Sequence, residues 1–254
     1  MARLYEIQAH LERDGSVTVS ELAQKLRKTP ITIRRDLQFL ESEGVLIRTH
    51  GGAVACVAPH GDIPRYDLRE RAHPKEKSSI ARKAAEFITD GDSLIVNAGT
   101  TTHELAFHLR RFSDLQVVTN SLTVAPELAH SPNTQVLMIG GETDFMKLGS
   151  VGPVAEEMME DIHVTKAFLG VAGVSLEHGL LMYSPAQARI NAQFVRSADH
   201  VTVLVDSSKF ASNFIYRVAP LGDVDRIITD SKIEPDIRDA LERAGPEMII
   251  VKNR

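Results

Sequence analysis

From Thr29 to Ala53 the chain reads TPITIRRDLQFLESEGVLIRTHGGA, and the order of caps, apolar spacing and glycines there leaves few folds open. Thr29 stands where a helix N-cap belongs. Pro30 occupies the first helical position, where a missing N–H costs nothing. Ile33, Leu37 and Leu40 recur at helical spacing and turn one stripe toward a core. At about 100° per residue, Ile31, Arg35, Gln38 and Ser42 point roughly the opposite way, flanked by Thr32 and Arg34. Arg bonds guanine or phosphate, Gln bonds adenine, and Ile or Thr touches a thymine methyl. Such a face suits a DNA major groove.

The residues upstream supply a partner helix. Thr18 and Glu21 have capping-box spacing, with Val17 and Leu22 placed as a hydrophobic staple. The helix they open turns Leu22, Ala23 and Leu26 inward, and a tight Arg27–Lys28 connection leads to Thr29, the pattern of a helix-turn-helix. An earlier helix, about Arg3 to Arg13, offers Leu4, Ile7 and Leu11 as a third wall. Downstream, Gly44 is a natural stop. Val45–Ile47 is expected as a strand, Arg48–Gly52 as a turn and Ala53–Val54 as a return strand, which makes a winged helix-turn-helix.

A short amphipathic helix with two arginines is by itself an ordinary solvated helix. The capped partner helix, the tight turn and the basic wing favour DNA. Lys25, Arg27, Lys28, Arg34 and Arg35 lie within eleven residues with no acid among them, although the whole chain carries −5. Phosphate contact needs such a local patch. The candidate DNA contacts are Ser20, Lys28, Thr29, Ile31, Thr32, Arg34, Arg35, Gln38, Arg48 and His50.

The organisation expected is a DNA-binding domain over 1–57, a linker over 58–75 with Pro59, Gly61, Pro64 and Pro74, and a second domain over 76–254. A single cysteine, Cys56, excludes an intramolecular disulfide framework and fits a reducing compartment. The first residues read as an amphipathic helix and not a signal peptide. No apolar run approaches the roughly 18 residues of a membrane span, so a cytoplasmic protein with no membrane partner is expected.

After Glu76, helical stripes alternate with β-branched runs. Ile80, Ala81, Ala84, Ala85 and Ile88 form a helical stripe, and helices are expected at 103–111, 122–130, 154–161, 186–198 and 235–244. Strands are expected at 93–97, 116–119, 135–139, 166–171, 201–205, 226–229 and 248–251. This is an α/β domain with a mostly parallel sheet covered on both faces. In such sheets ligands bind beyond the carboxyl ends of the strands. Asn97, Gly99, Thr100, Thr101 and Thr102 follow one strand and open a helix, where backbone N–H groups, hydroxyls and the helix dipole suit an anion. Gly99 as a plain turn and the threonines as caps is the competing account. Thr119, Asn120 and Ser121, then Gly140 and Gly141, follow the next two strands; Gly173, then Asp206 and Lys209, follow later ones. Their convergence at one sheet edge favours a polar, anion-binding crevice.

No GxxxxGK or GxGxxG loop is present, so no nucleotide cofactor is expected. His103, Glu104 and His108 have HExxxH spacing, which sets the two imidazoles about 140° apart on a helix, so no metal is expected. Nothing marks Asp206 or Lys209 as activated for acid–base chemistry.

In sum of motifs, VSELAQKL (19–26), TIRRDLQFLESEGVLIRTHGGA (32–53), GTTT (99–102), VVTNSL (117–122), GG (140–141), VGP (151–153) and DSSKF (206–210) give the chain a resemblance to the DeoR family of bacterial transcriptional regulators. The resemblance implies an effector domain similar in fold to ribose 5-phosphate isomerase. It also implies a phosphorylated sugar effector, with phosphate contacts at Gly99–Thr102 and with Asn120 and Lys209 nearby. A repressor of a carbohydrate-use operon is the function implied; the alternative is an isomerase-like enzyme carrying a DNA-binding domain. One recognition helix buries little surface, so a homo-oligomer, dimer or tetramer, reading repeated half-sites of an operator is expected. Two residues depart from the family pattern. Pro30 is harmless at its position, and Gln187 stands where many relatives have Glu, so a contact needing a carboxylate does not carry over to it.

Overall fold

The computed structural model describes residues 2–14, 16–42, 46–49, 51–55, 66–129, 131–211 and 214–252. Gly44, Val45, His50, Cys56 and the 58–65 part of the expected linker lie outside the described residues. The chain divides into two compact units, Met1–Pro74 and Lys75–Arg254.

The first unit contains α1 (Ala2–Asp14), β1 (Ser16–Thr18), α2 (Val19–Lys25), α3 (Pro30–Ser42), β2 (Leu46–Thr49), β3 (Gly52–Ala55) and α4 (Tyr66–Arg71). The last of these makes part of the expected linker helical. The capping box forms as spaced: Glu21 N–H donates to Thr18 Oγ1 at 3.2 Å, and Thr18 N–H donates to the Glu21 carboxylate at 3.2 Å. Helix α2 stops at Arg27, whose φ of 49° is left-handed. Lys28 N–H then reaches Ala23 O at 3.0 Å and Arg27 N–H reaches Gln24 O at 3.4 Å, a Schellman closure made without glycine. Thr32 N–H donates to Thr29 Oγ1 at 3.3 Å, so Thr29 caps α3. Ile7, Leu11, Leu22, Ile33, Leu37 and Leu40 form the core.

Two features differ from the expectation. The wing turn is tighter than Arg48–Gly52, because Arg48, Thr49 and Gly52 are strand residues and Thr49 pairs opposite Gly52. A third strand, β1, pairs with β3 on its other side. That contact is close enough to demand Gly52: a Cβ there would lie 1.9 Å from Val17 O.

The second unit is built from α5 (Pro74–Ala84), β4 (Ser93–Val96), α6 (Thr100–Leu109), β5 (Gln116–Thr119), α7 (Val124–Glu127), β6 (Gln135–Met138), β7 (Glu142–Asp144), β8 (Gly149–Val151), α8 (Pro153–Glu157), β9 (Val164–Leu169), β10 (Gly173–Ser175), β11 (Gly179–Met182), α9 (Pro185–Arg196), β12 (Ala198–Leu204), β13 (Tyr216–Arg217), β14 (Arg226–Asp230), α10 (Pro235–Ala244) and β15 (Glu247–Val251). Seven strands form one sheet in the order β15-β14-β12-β9-β4-β5-β6, and every pairing in it is parallel. Strand alternation sends side chains to both faces. Leu94, Val96 and Phe168 pack with Ile80 of α5 and Leu105 of α6, while Ile95, Ala167 and Leu169 pack with Ile190 and Phe194 of α9. Both faces are therefore covered, as continuous apolar strands require.

The expected helix at 122–130 shrinks to α7. Leu122 N–H goes to Leu148 O at 2.8 Å, and Ser121 Oγ accepts from Val124 N–H at 3.1 Å, so the helix starts late. The expected 154–161 helix ends at Glu157 and continues in three-residue turns such as Met159 N–H to Glu156 O at 3.1 Å. The helix expected over 186–198 ends at Arg196, and Ala198 already belongs to β12. Two antiparallel features carry no periodic signal in the sequence: the β7–β8 hairpin and the β10-β11-β13 sheet.

Candidate nucleic-acid interface and ligand crevice

On α3 the residues Ile31, Arg34, Arg35 and Gln38 are exposed, Ile31 at 65%, and Thr32 is half-buried. Arg27, Lys28 and Thr29 are exposed on the preceding turn, and Ser20 and Lys25 on α2. Among the described residues, none of Lys25, Arg27, Lys28, Arg34 and Arg35 is in an ion pair. An exposed basic cluster without internal counter-charges is the electrostatic footprint that DNA phosphates neutralise. Arg48 differs: its N–H donates to Glu41 Oε1 at 3.0 Å and its guanidinium lies 3.8 Å from the same carboxylate. Its charge is partly answered within the chain.

The buried face of α3 holds a residue the periodicity did not reveal. Asp36, 8% exposed, accepts from Arg3 Nε at 2.5 Å and from Nη2 at 2.8 Å. This two-pronged bond ties α3 to α1, and it raises the Arg3 pKa above its ordinary value, chiefly through the hydrogen bond. Helix α3 is thus oriented by a fork-to-carboxylate contact as well as by its apolar stripe.

In the second unit β4 lies between β5 and β9, so the chain winds to one side through β5 and β6 and to the other through β9, β12, β14 and β15. This is a topological switch point, where the loops at the strand carboxyl ends diverge and leave room for a ligand. Several expected residues meet here, but as brackets. Asn97 Nδ2 donates to Gly170 O at 2.9 Å and to Asn191 Oδ1 at 2.6 Å, and its Oδ1 accepts from Gly170 N–H at 2.8 Å. Asn120 Oδ1 accepts from Ala98 N–H at 2.9 Å, and its Nδ2 donates to Ser150 O at 2.8 Å. Thr102 Oγ1 donates to Asn97 O at 2.7 Å and Thr119 Oγ1 to Val96 O at 2.5 Å. Ser121 caps α7. These polar groups are committed to holding the loops.

Gly99 is the N-cap of α6, and the first hydrogen bond behind it is His103 N–H to Gly99 O at 2.9 Å. The amides of Thr100, Thr101 and Thr102 therefore have no carbonyl behind them. Thr100 and Thr101 are buried at 8% and 7%, beside those amides. Gly141 has φ 126° and sits 2.6 Å, at its missing Cβ, from Val151 O; it is a turn residue. Gly140 N–H meets Met158 Sδ at 3.3 Å, and Gly173 opens β10 opposite Leu181. Asp206, 2% exposed, accepts from Ser208 N–H at 3.1 Å, and Lys209 N–H donates to Asp206 O at 3.1 Å, so this pair organises a turn after β12.

A small, partly open crevice, about 10 Å³ in cavity volume, lies beside Ala98 and Asn120. Its apolar wall is Val151, Met182 and Ile190; its polar lining is Asn120, Lys147, Gln187 and Asn191. Of the residues anticipated from sequence as effector contacts, Asn120 alone is in this lining, although Ala98 immediately precedes the Gly99 cap. Lys147 was not anticipated. It is 6% exposed, with its ammonium 5.3 Å from the centre of the Tyr183 ring. The β7–β8 turn presents it: Asp144 Oδ1 accepts from Met146 N–H at 2.9 Å and Lys147 N–H at 3.3 Å, and the other oxygen accepts from Gln187 Nε2. Gly149 is required because a Cβ there would lie 2.5 Å from the Ala98 Cβ. The signal available in sequence was weak: a single lysine in the otherwise uncharged stretch FMKLGS after an aspartate.

A winged helix-turn-helix and a parallel α/β unit with a ligand crevice, carried by one chain, define a ligand-responsive transcriptional regulator. Residues 3–58 match the DeoR-like helix-turn-helix domain and residues 72–231 the DeoR C terminal sensor domain. The chain belongs to the DeoR family. It is 32% identical over 250 residues to the HTH-type transcriptional repressor GlcR of Bacillus subtilis (strain 168), covering 98% of this chain and 96% of that one. It is 31% identical over 221 residues to the glycerol-3-phosphate regulon repressor of Escherichia coli (strain K12), covering 87% of each. Among solved structures, a D-ribose-5-phosphate isomerase in complex with phospho-erythronic acid is similar over 53% of each chain, with 18% identity and a TM-score of 0.40.

Proposed function

We propose that this protein is a sequence-specific repressor of a carbohydrate-use operon and that a phosphorylated sugar releases it from DNA. The observation that carries the reading is the first turn of α6, whose Thr100–Thr102 amides have no carbonyl behind them, next to Ala98 of the crevice that Lys147 also lines. An ammonium and a helix N-terminus close to one crevice both suit an anion. The phosphate is assigned to the amides of Gly99–Thr102 and the hydroxyls of Thr100 and Thr101, with Lys147 as counter-charge and the polyol toward the crevice. The names of the relatives, a glycerol-3-phosphate regulon repressor among them, support a carbohydrate-linked effector.

DNA recognition is assigned to Ile31, Thr32, Arg34, Arg35 and Gln38 of α3, with Ser20, Lys28, Thr29, Arg48 and His50 around them. The reading includes a homo-oligomer, dimer or tetramer, acting in the cytoplasm without catalysis. The geometry gives no support to Asp206 and Lys209 as an acid–base pair, because the carboxylate already accepts from Ser208. Release requires that the ligand prefer the DNA-incompetent state. Gel-shift titration of the purified chain on its own upstream region, with and without a panel of sugar monophosphates, tests the proposal. Weakened binding by a member of that panel is expected. Operator binding that no sugar phosphate alters overturns the effector assignment, and no preference for any DNA sequence overturns the repressor itself.

A further inference from the structure

Gln187 is 3% exposed and lines the crevice, and its Oε1 has no hydrogen-bond partner among the described residues. Its sequence context suggests a different use. Ser184 is the N-cap of α9 and Gln187 the third helical residue, the spacing at which a glutamine side chain reaches back to the cap. Only half of that capping box forms. Gln187 N–H donates to Ser184 Oγ at 3.3 Å, but the side chain turns away and donates through Nε2 to Asp144.

The orientation of the amide follows from chemistry. An ionised carboxylate only accepts, so the nitrogen must face Asp144 and the oxygen must face the other way. The nearby side-chain amides donate elsewhere and leave that oxygen without a partner among the described residues. Asn191 Nδ2 donates to the Gln187 carbonyl at 2.8 Å, Asn120 Nδ2 to Ser150 O at 2.8 Å, and Asn97 Nδ2 to Gly170 O and Asn191 Oδ1. A buried acceptor left unsatisfied costs stability, and such a group is retained where a ligand completes it.

We propose that Gln187 determines effector specificity: its Oε1 accepts a hydrogen from a hydroxyl of the polyol, and its pairing with Asp144 fixes that oxygen in place. This rests on the sugar-phosphate reading of the crevice and deepens it. The ligand end that meets Gln187 carries a hydroxyl and not a carboxylate, because an ionised carboxylate cannot donate to Gln187 Oε1, which only accepts. Sugar phosphates are favoured over the corresponding aldonic acid phosphates.

The test is calorimetric titration of the full chain with hexose and pentose monophosphates, 6-phosphogluconate and inorganic phosphate. The proteins are the wild type, Gln187→Met, and the paired variant Asp144→Asn with Gln187→Glu. Methionine keeps length and volume but removes the acceptor. The pair exchanges amide and carboxylate, so the internal bond persists with reversed direction and an acceptor oxygen still faces the crevice. Expected is a 10-fold to 100-fold loss of sugar-phosphate affinity in Gln187→Met, unchanged weak binding of inorganic phosphate, and recovery in the paired variant. Equal sugar-phosphate affinity in wild type and Gln187→Met, the result if water alone satisfies the amide, overturns the role of Gln187 while the effector reading stands. A Gln187→Met chain that fails to fold leaves the decision to the pair, where lost affinity in a folded protein overturns the proposal. A wild type that binds no sugar phosphate overturns both.

Discussion

Asn97 and Gly170 exchange two hydrogen bonds, Nδ2 to the Gly170 carbonyl at 2.9 Å and the Gly170 N–H to Oδ1 at 2.8 Å. The side chain thus acts as an extra peptide rung that ties the end of β4 to the end of β9 where the sheet changes winding direction. The loop that opens α6 is held by this bracket, which couples the stability of the unit to the shape of its site.

Asn97→Asp tests the bracket. It keeps the acceptor but sets a carboxylate oxygen against Gly170 O and Asn191 Oδ1, leaving two buried acceptors facing a third. A loss of roughly 2–4 kcal/mol is expected in urea denaturation followed by a probe in the second unit. An unchanged midpoint would remove the bracket from the account.

On α3, Arg35→Ala is expected to cost about 1–3 kcal/mol on the operator and to relax sequence preference, with the fold intact. Arg34→Ala, at the flank, is expected to weaken all DNA alike and to make the salt dependence shallower. Filter binding on operator and random duplexes across a salt series distinguishes the two. Operator affinity unchanged in both single variants and in the double variant would displace recognition from this helix.

Lys147→Met and the double change Thr100→Val with Thr101→Val probe the anion end of the crevice. Both are expected to bind operator like the wild type and to lose most of the response to sugar phosphate. Thermal melts and gel shifts with ligand decide this, and a full ligand response in both variants would move the phosphate elsewhere.

His108 supplies a pH dependence. Burial, and then the charges of Arg111 and Arg82, lower its pKa below the ordinary 6.5. The unfolded chain therefore takes up the proton at a higher pH than the folded chain does. Stability is present in full above 6.5, falls as pH drops through 6.5, and levels off once the folded-state imidazole also protonates. His108→Leu is expected to flatten this acid-side fall. Chemical denaturation midpoints of both proteins between about pH 7.5 and pH 5.5 check it, and parallel curves would assign the fall to other groups.

Local signals made much of this legible. Thr18 with Glu21, Thr29 with Pro30, and the stripe Ile33–Leu37–Leu40 describe structure within a few residues of themselves, and each formed as spaced. The parallel strands were equally plain, because a strand buried on both faces must be apolar throughout. The GTTT run was recognisable because a strand, a glycine and a helix start follow one another directly. Asn97 and Asn120 were recognisable as polar strand ends, though the structure commits their amides to bracing the loops.

The crevice itself was legible only in part, and the reason is sequence separation. Lys147 sits on a hairpin whose two strands have three residues each, too short to show a period of two. Gln187 looks like half of a capping box until Asp144, 43 positions away, draws its amide aside. The sequence by itself determined the capped helices of the first unit and the apolar parallel strands of the second, since caps and periodicity act over one or two turns of chain. Only the tertiary structure decided that Asp36 grips Arg3, that Lys147 is buried beside Asn120, and that Gln187 Oε1 is left without a donor among the described residues. Those outcomes depend on which distant segments close on one another, and on which donors the closure uses up.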